Sequence, residues 1–344
     1  MPQEKGCEQT IMKKKTLVAG FDGFVDTLAK VIKVKGKEPA YFDTIDSFGR
    51  YLCGQAGKSC SVEMDIIDHK PGGNGPLVSL GASALNMDVT CIGMLGWPQI
   101  HSVFAEMPVK LYSFMPPGCS TALEFNDGKV MLAPGLAEQE NIWERVNSAA
   151  NGKAVEIIKN ADALALVNWS EVSFSHQLWE SVFNIALRPF SADKSKYVLF
   201  DLCDCTRKPV EEIQSVLKLM GSFSSCRTTV LSLNENEALD IGKKVFGGVK
   251  HFKELAQYLR EDFGIDEILV HAVHWSFIST KEQEFEQPSI FVENPLFSTG
   301  AGDHFNAAYL YGALNGFDVE KRVNFCHKFV HTYISTGKGQ FPPE

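Results

Sequence analysis

The feature that most constrains this chain is a series of short apolar segments separated by stretches with helical periodicity. The apolar segments, rich in Val, Leu and Ile, lie at 16–20, 89–93, 161–168, 197–201, 229–233 and 267–273. Apolar runs without a polar face are typical of strands buried on both sides. The helical patterns lie at 76–87, 140–160, 174–188, 209–221, 235–246 and 251–263. This alternation predicts a three-layer α/β fold, in which helices cover both faces of a mostly parallel sheet.

Two segments interrupt the alternation and have the pattern of antiparallel β structure, namely 30–50 and 108–135. In the second, apolar residues flank Asn126-Asp127-Gly128, a sequence typical of tight hairpin turns. Antiparallel insertions of this kind suggest a β lid. The 344 residues allow two domains or one large domain with an insertion. Since no internal repeat or low-complexity linker divides the chain, we expect one domain over 16–338, preceded by a flexible tail over 1–15.

Charge and cysteine content exclude several classes of partner. The chain has 33 Lys and Arg against 42 Asp and Glu, a formal net charge of −9. Binders of nucleic acid or of anionic membranes carry an excess of basic residues, so we expect neither partner. No apolar stretch approaches the roughly 20 residues that span a bilayer. The nine cysteines are odd in number and contain no C-x-x-C pair, which favours reduced thiols and a cytoplasmic protein.

The most specific motif is Thr299-Gly300-Ala301-Gly302-Asp303, at the start of a helical pattern. Because these residues have small side chains, their backbone N–H groups are open to an anion at the helix N-terminus. Such a cradle suits phosphoryl transfer, which depends mainly on positioning and charge stabilisation. Asp303 is placed to accept the proton of an attacking hydroxyl. A glycine-rich turn with a favourable first-turn Asp would have the same pattern.

Two further motifs have the chemistry of a sugar site. Gly72-Gly73-Asn74 precedes a helix, and its glycines allow backbone groups to touch a small ligand. Asp22 and Asp26 directly follow the first strand, where carboxylates can accept the hydrogen bonds of two hydroxyls. By itself each motif is also compatible with an ordinary loop or turn.

Polar residues end several of the predicted strands, including Asn168, Asp201, Asn234 and His271. Ligands of open α/β sheets bind at the carboxyl ends of strands, so these positions favour a shared polar cleft. Asn234 and Glu237 lie three residues apart at a helix start. An amide and a carboxylate acting through water suit Mg²⁺ on a nucleotide phosphate, although the same spacing forms a helix capping box.

Taken in order, these motifs resemble the ribokinase (PfkB) family of carbohydrate and nucleoside kinases over roughly residues 16–338. The resemblance implies a ribokinase-like fold and transfer of the ATP γ-phosphoryl group to a hydroxyl of a small sugar or nucleoside-like substrate. It implies that Asp303 is the general base and that the amides of Gly300, Ala301 and Gly302 form the anion hole. It also implies that the β lid pairs two chains as a homodimer.

The resemblance assigns the remaining positions to three groups. Asn234 and Glu237 would organise Mg²⁺ and the nucleotide phosphates. The nucleotide site would also include Thr299 and His271. The sugar site would be formed by Asp22, Asp26, Gly72, Gly73 and Asn74.

The chain departs from the family pattern at three places. Phe297 stands where the family has an Asp, which puts its monovalent-cation site in doubt. His271–Ser276 replaces the glycine-containing nucleotide loop, and Leu77 replaces an Asn that touches substrate, for which Asn74 is a substitute. These departures favour an alternative function, a non-catalytic or divergent protein that keeps the sugar or nucleotide site of the same fold.

Overall fold

The computed structural model describes residues 14–293, 295–296 and 299–342, so most of the expected tail over 1–15 lies outside the described residues. The strands are β1 (Thr16–Gly20), β2 (Phe24–Val34), β3 (Ala40–Tyr41), β4 (Met64–Gly72), β5 (Asp88–Gly93), β6 (Lys110–Ser113), β7 (Gly118–Phe125), β8 (Gly128–Leu132), β9 (Ala163–Val167), β10 (Tyr197–Asp201), β11 (Thr228–Asn234), β12 (Glu267–His271), β13 (Trp275–Ser279) and β14 (Glu284–Pro288).

The helices are α1 (Ile45–Cys53), α2 (Asn74–Ala84), α3 (Ser102–Ala105), α4 (Ile142–Ala149), α5 (Ala154–Asn160), α6 (Ser175–Ser181), α7 (Val210–Phe223), α8 (Glu235–Phe246), α9 (Phe252–Phe263), α10 (Ala301–Leu314) and α11 (Val319–Thr336). A π-helical segment, Val182–Leu187, continues α6. Among the described residues, no helix has both the length and the apolar character needed to cross a membrane.

Within the described residues, the large sheet has nine strands in the order β14-β13-β12-β11-β10-β9-β1-β5-β6. The seven strands from β12 to β6 pair in parallel, and β13 and β14 add an antiparallel edge. All six apolar segments of the sequence form strands of this sheet. The predicted mostly parallel α/β fold is confirmed.

Successive side chains of a strand point to opposite faces of the sheet. Because both faces of this sheet are apolar, each is covered by a layer of helices. In β10, Val198 and Phe200 pack in a core with helix residues such as Trp179, while Leu199 packs in the opposite core with residues such as Tyr309. The helices α4–α9 therefore cover one face of the sheet. The helices α2, α10 and α11 cover the other.

A smaller sheet is formed by β2, β3, β4, β7 and β8, which we call the small sheet. The turn at Asn126-Asp127 joins β7 and β8 as an antiparallel hairpin, as the sequence predicted. Other details of the expected β segments differ. Residues 45–53 form a helix, because Thr44 caps its N-terminus and Phe48 packs with Phe42. The strand β6 joins the large sheet, and β7 pairs in parallel with β2.

Two other expectations from the sequence were wrong in their boundaries. The helix expected over 140–160 is divided, because Asn151 and Gly152 adopt left-handed backbone conformations with φ of 54° and 76°. The strand expected over 267–273 ends at His271, and β12 pairs with β13 as an antiparallel hairpin. The turn of this hairpin lies at residues 272–274, and the rest of the segment His271–Ser276 belongs to the two strands.

A buried ion pair joins three of these elements on the face covered by α10 and α11. Arg322 Nη1 lies 3.2 Å from Glu267 Oε2 and 3.0 Å from the hydroxyl of Tyr309, which itself donates to Glu267 at 2.7 Å. Removal of one member of a buried pair leaves a charge without compensation.

We therefore predict that Arg322→Met lowers the free energy of unfolding by about 3–5 kcal/mol. The double variant Arg322→Met/Glu267→Gln should lose clearly less than the sum of the two single variants, because neither charge is then left alone. Urea unfolding of wild type, the two single variants and the double variant measures these free energies. Additive losses would contradict the interpretation. The exposed pair of Lys35 and Glu63 is the matched control.

Candidate active site

The polar residues that follow the central strands lie together at the carboxyl edge of the large sheet. Asn168 follows β9 and Cys203 follows β10, and both adopt left-handed conformations with φ of 59°. Such conformations are uncommon outside glycine and are concentrated at functional sites. They turn the chain at the point where ligands of open α/β sheets bind.

Asp22 lies beneath this edge and is 1% exposed. Its carboxylate accepts hydrogen bonds from the backbone N–H groups of Asn74 and Gly75 and from Asn168 Nδ2, each at 2.7 Å. Burial raises the pKa of Asp22 to about 6, while these donors oppose the rise. With its oxygens used in this way, Asp22 holds the start of α2 against the strand ends.

Asp26 is the second acid after β1 and faces a cleft of about 970 Å³. Ser120 Oγ donates to its carboxylate, and a Cβ at Gly72 would lie 2.3 Å from it. Glycine at position 72 therefore leaves room for Asp26. Among the predicted site residues, Asp26, Gly73, Asn74, Thr299 and Asp303 line this cleft.

The helix α10 begins at the opposite wall of the cleft. Gly300 is its N-cap with φ of 85°, and no side chain caps the helix. The carbonyl of Thr299 accepts a hydrogen bond from Tyr333 at 2.8 Å, and the carbonyl of Gly300 accepts one from His304 Nδ1 at 2.8 Å. The first amides of α10 have no acceptor within the helix, because no carbonyl of the helix lies one turn before them.

Asp303 lies in the first turn of α10, is 6% exposed and has one carboxylate oxygen without a hydrogen-bond partner among the described residues. Burial, followed by the charges of Asp201 and Asp22, raises its pKa well above the ordinary value. One turn later, Asn306 donates to Asp201 at 2.9 Å and accepts from Ser232 at 2.6 Å. This buried contact fixes α10 to the ends of β10 and β11.

A second cavity, of about 350 Å³, lies on the other side of the α10 N-terminus. Its walls include Ala301 and Gly302, so the predicted motif separates two cavities. His271 stacks on Phe305 with ring centroids 5.4 Å apart, and burial lowers its pKa to about 4. Apolar side chains such as Ile290 and Val330 also line this cavity, which suits an aromatic ring.

Asn234 and Glu237 form the capping box that the sequence left open as an alternative. Asn234 Oδ1 accepts from the backbone of Glu237 at 3.0 Å, and Glu237 Oε2 accepts from the backbone of Asn234 at 2.9 Å. Burial and the charge of Asp201 raise the pKa of Glu237 to about 8. Within the part of the chain that the structure describes, no group of three or more His, Cys, Asp or Glu has metal-binding geometry. Phe297, on which the monovalent-cation expectation depends, lies outside the described residues.

Comparisons with known proteins identify the family of the chain. A family model described as "Khk: Prokaryotic ketohexokinase" matches residues 7–344. The chain belongs to the prokaryotic ketohexokinase family. It is also similar to a ketohexokinase of Haloferax volcanii, with 20% identity over 303 residues that cover 84% of this chain and 78% of that protein. Membership confirms the predicted enzyme class, an ATP-dependent carbohydrate kinase.

Solved structures confirm the predicted fold family. The chain is similar to the ribokinase of Thermotoga maritima, with a TM-score of 0.66, 16% identity and coverage of 96% of both chains. It is also similar to the Arabidopsis thaliana ribokinase complexed with ribose and ATP, with a TM-score of 0.61 and 17% identity, covering 97% of this chain and 96% of that one.

Two residues of the candidate site, Ser120 and Asn306, were not predicted from the sequence, and the contact made by a third, Asn168, was not predicted. Ser120 lies on β7 of the small sheet, and only the pairing of β7 with β2 brings it to Asp26. Asn306 had a signal, since it lies one turn after Asp303, but its partner Asp201 is 105 residues away. Asn168 was noted at a strand end, yet its contact with Asp22 depends on the pairing of β9 with β1.

The contacts of Asp22 predict that Asp22→Asn destabilises the protein. An Asn has one acceptor oxygen and would direct an NH₂ group at a backbone or side-chain donor, at a cost of about 1–3 kcal/mol. Denaturant unfolding measures the loss. The control is Asp88→Asn, at an exposed carboxylate paired with Lys110, for which a change within about 0.5 kcal/mol is expected. Equal losses in both variants would show that the buried contacts of Asp22 contribute little.

Proposed function

We propose that this protein transfers the γ-phosphoryl group of ATP to a hydroxyl of a ketohexose. The observation that carries the proposal is the position of the α10 N-terminus between two cavities. Thr299 and Asp303 face the larger one, and Ala301 and Gly302 face the smaller one. A donor and an acceptor in the two cavities would meet at the first amides of α10. The names of the family and of the Haloferax relative support a ketohexose as the acceptor.

The donor nucleotide is assigned to the smaller cavity. An adenine ring would lie there near His271 and Phe305, with its phosphates directed toward Gly300–Gly302. The backbone amides and the helix dipole would stabilise the charge that develops on the transferred group. Asn234 borders the same cavity and would contact the phosphates.

The sugar is assigned to the larger cleft. Asp26 would accept hydrogen bonds from its hydroxyls, and the Gly72–Gly73 loop with Asn74 would contact it from α2. Asp22 would not touch the sugar but would hold that loop in place through its hydrogen bonds with the backbone of Asn74 and Gly75. Asp303 would then take the proton of the attacking hydroxyl as the oxygen approaches phosphorus.

The carboxyl edge also suits Mg²⁺ carried by the nucleotide. Burial raises the pKa of Glu237 and of Asp303, and the charge of Asp201 raises both further, so these acidic groups repel one another. Because Mg²⁺ keeps several waters and prefers phosphate and carboxylate oxygens, it needs no complete protein cage. We propose that Glu237 and Asn234 hold it through water. Bound there, Mg²⁺ would neutralise charge on the phosphates.

This proposal predicts that Asp303→Asn lowers turnover with ATP and a ketohexose by roughly 10²- to 10⁴-fold, about 3–5 kcal/mol. ADP release in a coupled assay measures it. Burial raises the pKa of Asp303, so the base becomes protonated at a higher pH than an ordinary Asp as the solution is acidified. Wild-type turnover should decrease toward acid pH, and the variant should lack this limb. Wild-type turnover in Asp303→Asn would exclude the assignment.

The alternative is a divergent binding protein that no longer uses nucleotide efficiently. The observation that favours it is the β12–β13 hairpin, which replaces the glycine-containing nucleotide loop. Calorimetric titration of ATP and ADP, with and without Mg²⁺, separates the two. Binding strengthened by Mg²⁺ supports the kinase, and absence of binding at millimolar nucleotide supports the alternative.

The free cysteines at eight described positions support a reducing, cytoplasmic location for either function.

We further propose that the small sheet is a lid over the sugar cleft and pairs two chains. It carries exposed apolar side chains, among them Ile66, Ile67 and Leu132, which are 51%, 54% and 52% exposed. Strand β4 pairs only with β2 among the described residues. Uncovered apolar side chains beside an edge strand favour association.

We therefore expect wild-type protein to sediment at twice the 38.1 kDa of the chain. Ile67→Asp should shift it toward the monomer, because a charge would be buried between the sheets. Ile185→Asp, at an exposed isoleucine of the π-helical segment outside the small sheet, is the control and should leave the mass unchanged. A monomeric wild type at all concentrations would contradict the pairing.

A further inference from the structure

A lysine of the small sheet reaches the start of α10 across 170 residues of sequence. Lys129 lies in β8, and its Nζ donates a hydrogen bond to Oγ1 of Thr299. Met131 lies two residues later in the strand, so it shares the same side, and it lines the sugar cleft. The β7–β8 hairpin therefore presents Lys129 at the boundary between the cleft and the predicted anion hole.

Side chains from α10 and α11 hold the two residues before α10, Thr299 and Gly300, at this boundary. The carbonyls of Thr299 and Gly300 are bound by Tyr333 and His304, which stack on each other with ring centroids 3.6 Å apart. Nearby, Asp303 is buried and has an oxygen without a partner among the described residues. The cation thus lies beside a fixed loop and an unsatisfied polar group, rather than against an ordinary surface.

The charges around the cleft distinguish Lys129 from the other cations there. Arg207 pairs with Glu171 at 3.0 Å, and Lys208 pairs with Glu212 at 3.4 Å. Within the described part of the chain, Lys129 forms no ion pair with a carboxylate; its partner is the neutral hydroxyl of Thr299. Its charge also acts on Asp26, whose pKa it lowers against the effect of burial. Lys129 is therefore available to an anionic group between Asp26 and Thr299.

We propose that Lys129 is a catalytic cation that the small sheet delivers to the transferring phosphoryl group. The proposal rests on the proposed kinase function. In the step, a bond forms between the sugar oxygen and phosphorus while the bond from phosphorus to the bridging ADP oxygen breaks. The hydroxyl proton goes to Asp303. The Lys129 ammonium leaves the hydroxyl of Thr299 and binds a phosphoryl oxygen. It stabilises the negative charge on that oxygen, as cationic side chains do in other phosphoryl transfers.

The test compares the steady-state kinetics of wild type, Lys129→Met, Lys129→Arg and Lys218→Met. Lys129→Met keeps the length of the side chain and removes its charge, so kcat should fall on the order of 10²-fold with little change in the sugar KM. Lys129→Arg should recover much of the loss. Lys218 is exposed on α7, and Lys218→Met changes the net charge equally without affecting kcat. A kcat within twofold of wild type in Lys129→Met would overturn the proposal, as would a rise in KM alone.

A binding measurement keeps the test separate from the proposed function. ADP with aluminium fluoride, which mimics the transferring phosphoryl group, should bind Lys129→Met more weakly than wild type by about the same factor as kcat falls, while ADP alone should bind equally. If wild type turns over no ketohexose, the proposed function fails. The binding of ADP with aluminium fluoride by wild type and by Lys129→Met then decides the role of Lys129. Equal binding of the aluminium fluoride complex by both proteins would then overturn it.

Discussion

The buried contact of Asn306 with Asp201 and Ser232 is the interaction on which the site depends. It joins the first turns of α10 to the ends of β10 and β11 through hydrogen bonds of 2.9 and 2.6 Å. A buried carboxylate is costly unless it is hydrogen-bonded, and here Asn306 and the backbone of Cys203 supply the donors. Because this contact fixes α10 at the strand ends, the amides that begin the helix lie between the two cavities.

The acidic character of the chain means that a bound nucleotide would need positive groups close to its phosphates. The chain has a formal net charge of −9, and buried acids crowd the carboxyl edge. Without nearby positive charge, these acids would repel the phosphates of a nucleotide. In our proposal, the helix N-terminus, a divalent cation and the lysine of the small sheet would supply positive potential that acts only at short range. This arrangement leaves the acids free to contact hydroxyls and to accept a proton.

Much of the fold could be predicted from the sequence because its strands are buried on both faces and leave short apolar runs without alternating polar residues. The small sheet could be predicted only in part: the β7–β8 hairpin had a clear turn sequence, but β4 (MDIIDHKPG) mixes charged and apolar residues, and its pairing is decided by distant strands. In the site, local motifs such as Gly300–Asp303 carried a clear signal. Asn234 and Glu237 could not be assigned, because a metal site and a capping box require the same spacing. Asp22 looked like a ligand-binding acid, and only the fold shows that backbone amides occupy it.

The central claim is that the start of α10 is the place where a nucleotide and a sugar meet. A crystal structure with a ketohexose and a non-hydrolysable ATP analogue tests it most directly. The account predicts the terminal phosphate against the amides of Gly300–Gly302, the base beside His271, and a sugar hydroxyl between Asp303 and the phosphate. A nucleotide bound away from α10, or a sugar outside the cleft that Asp26 lines, would contradict it.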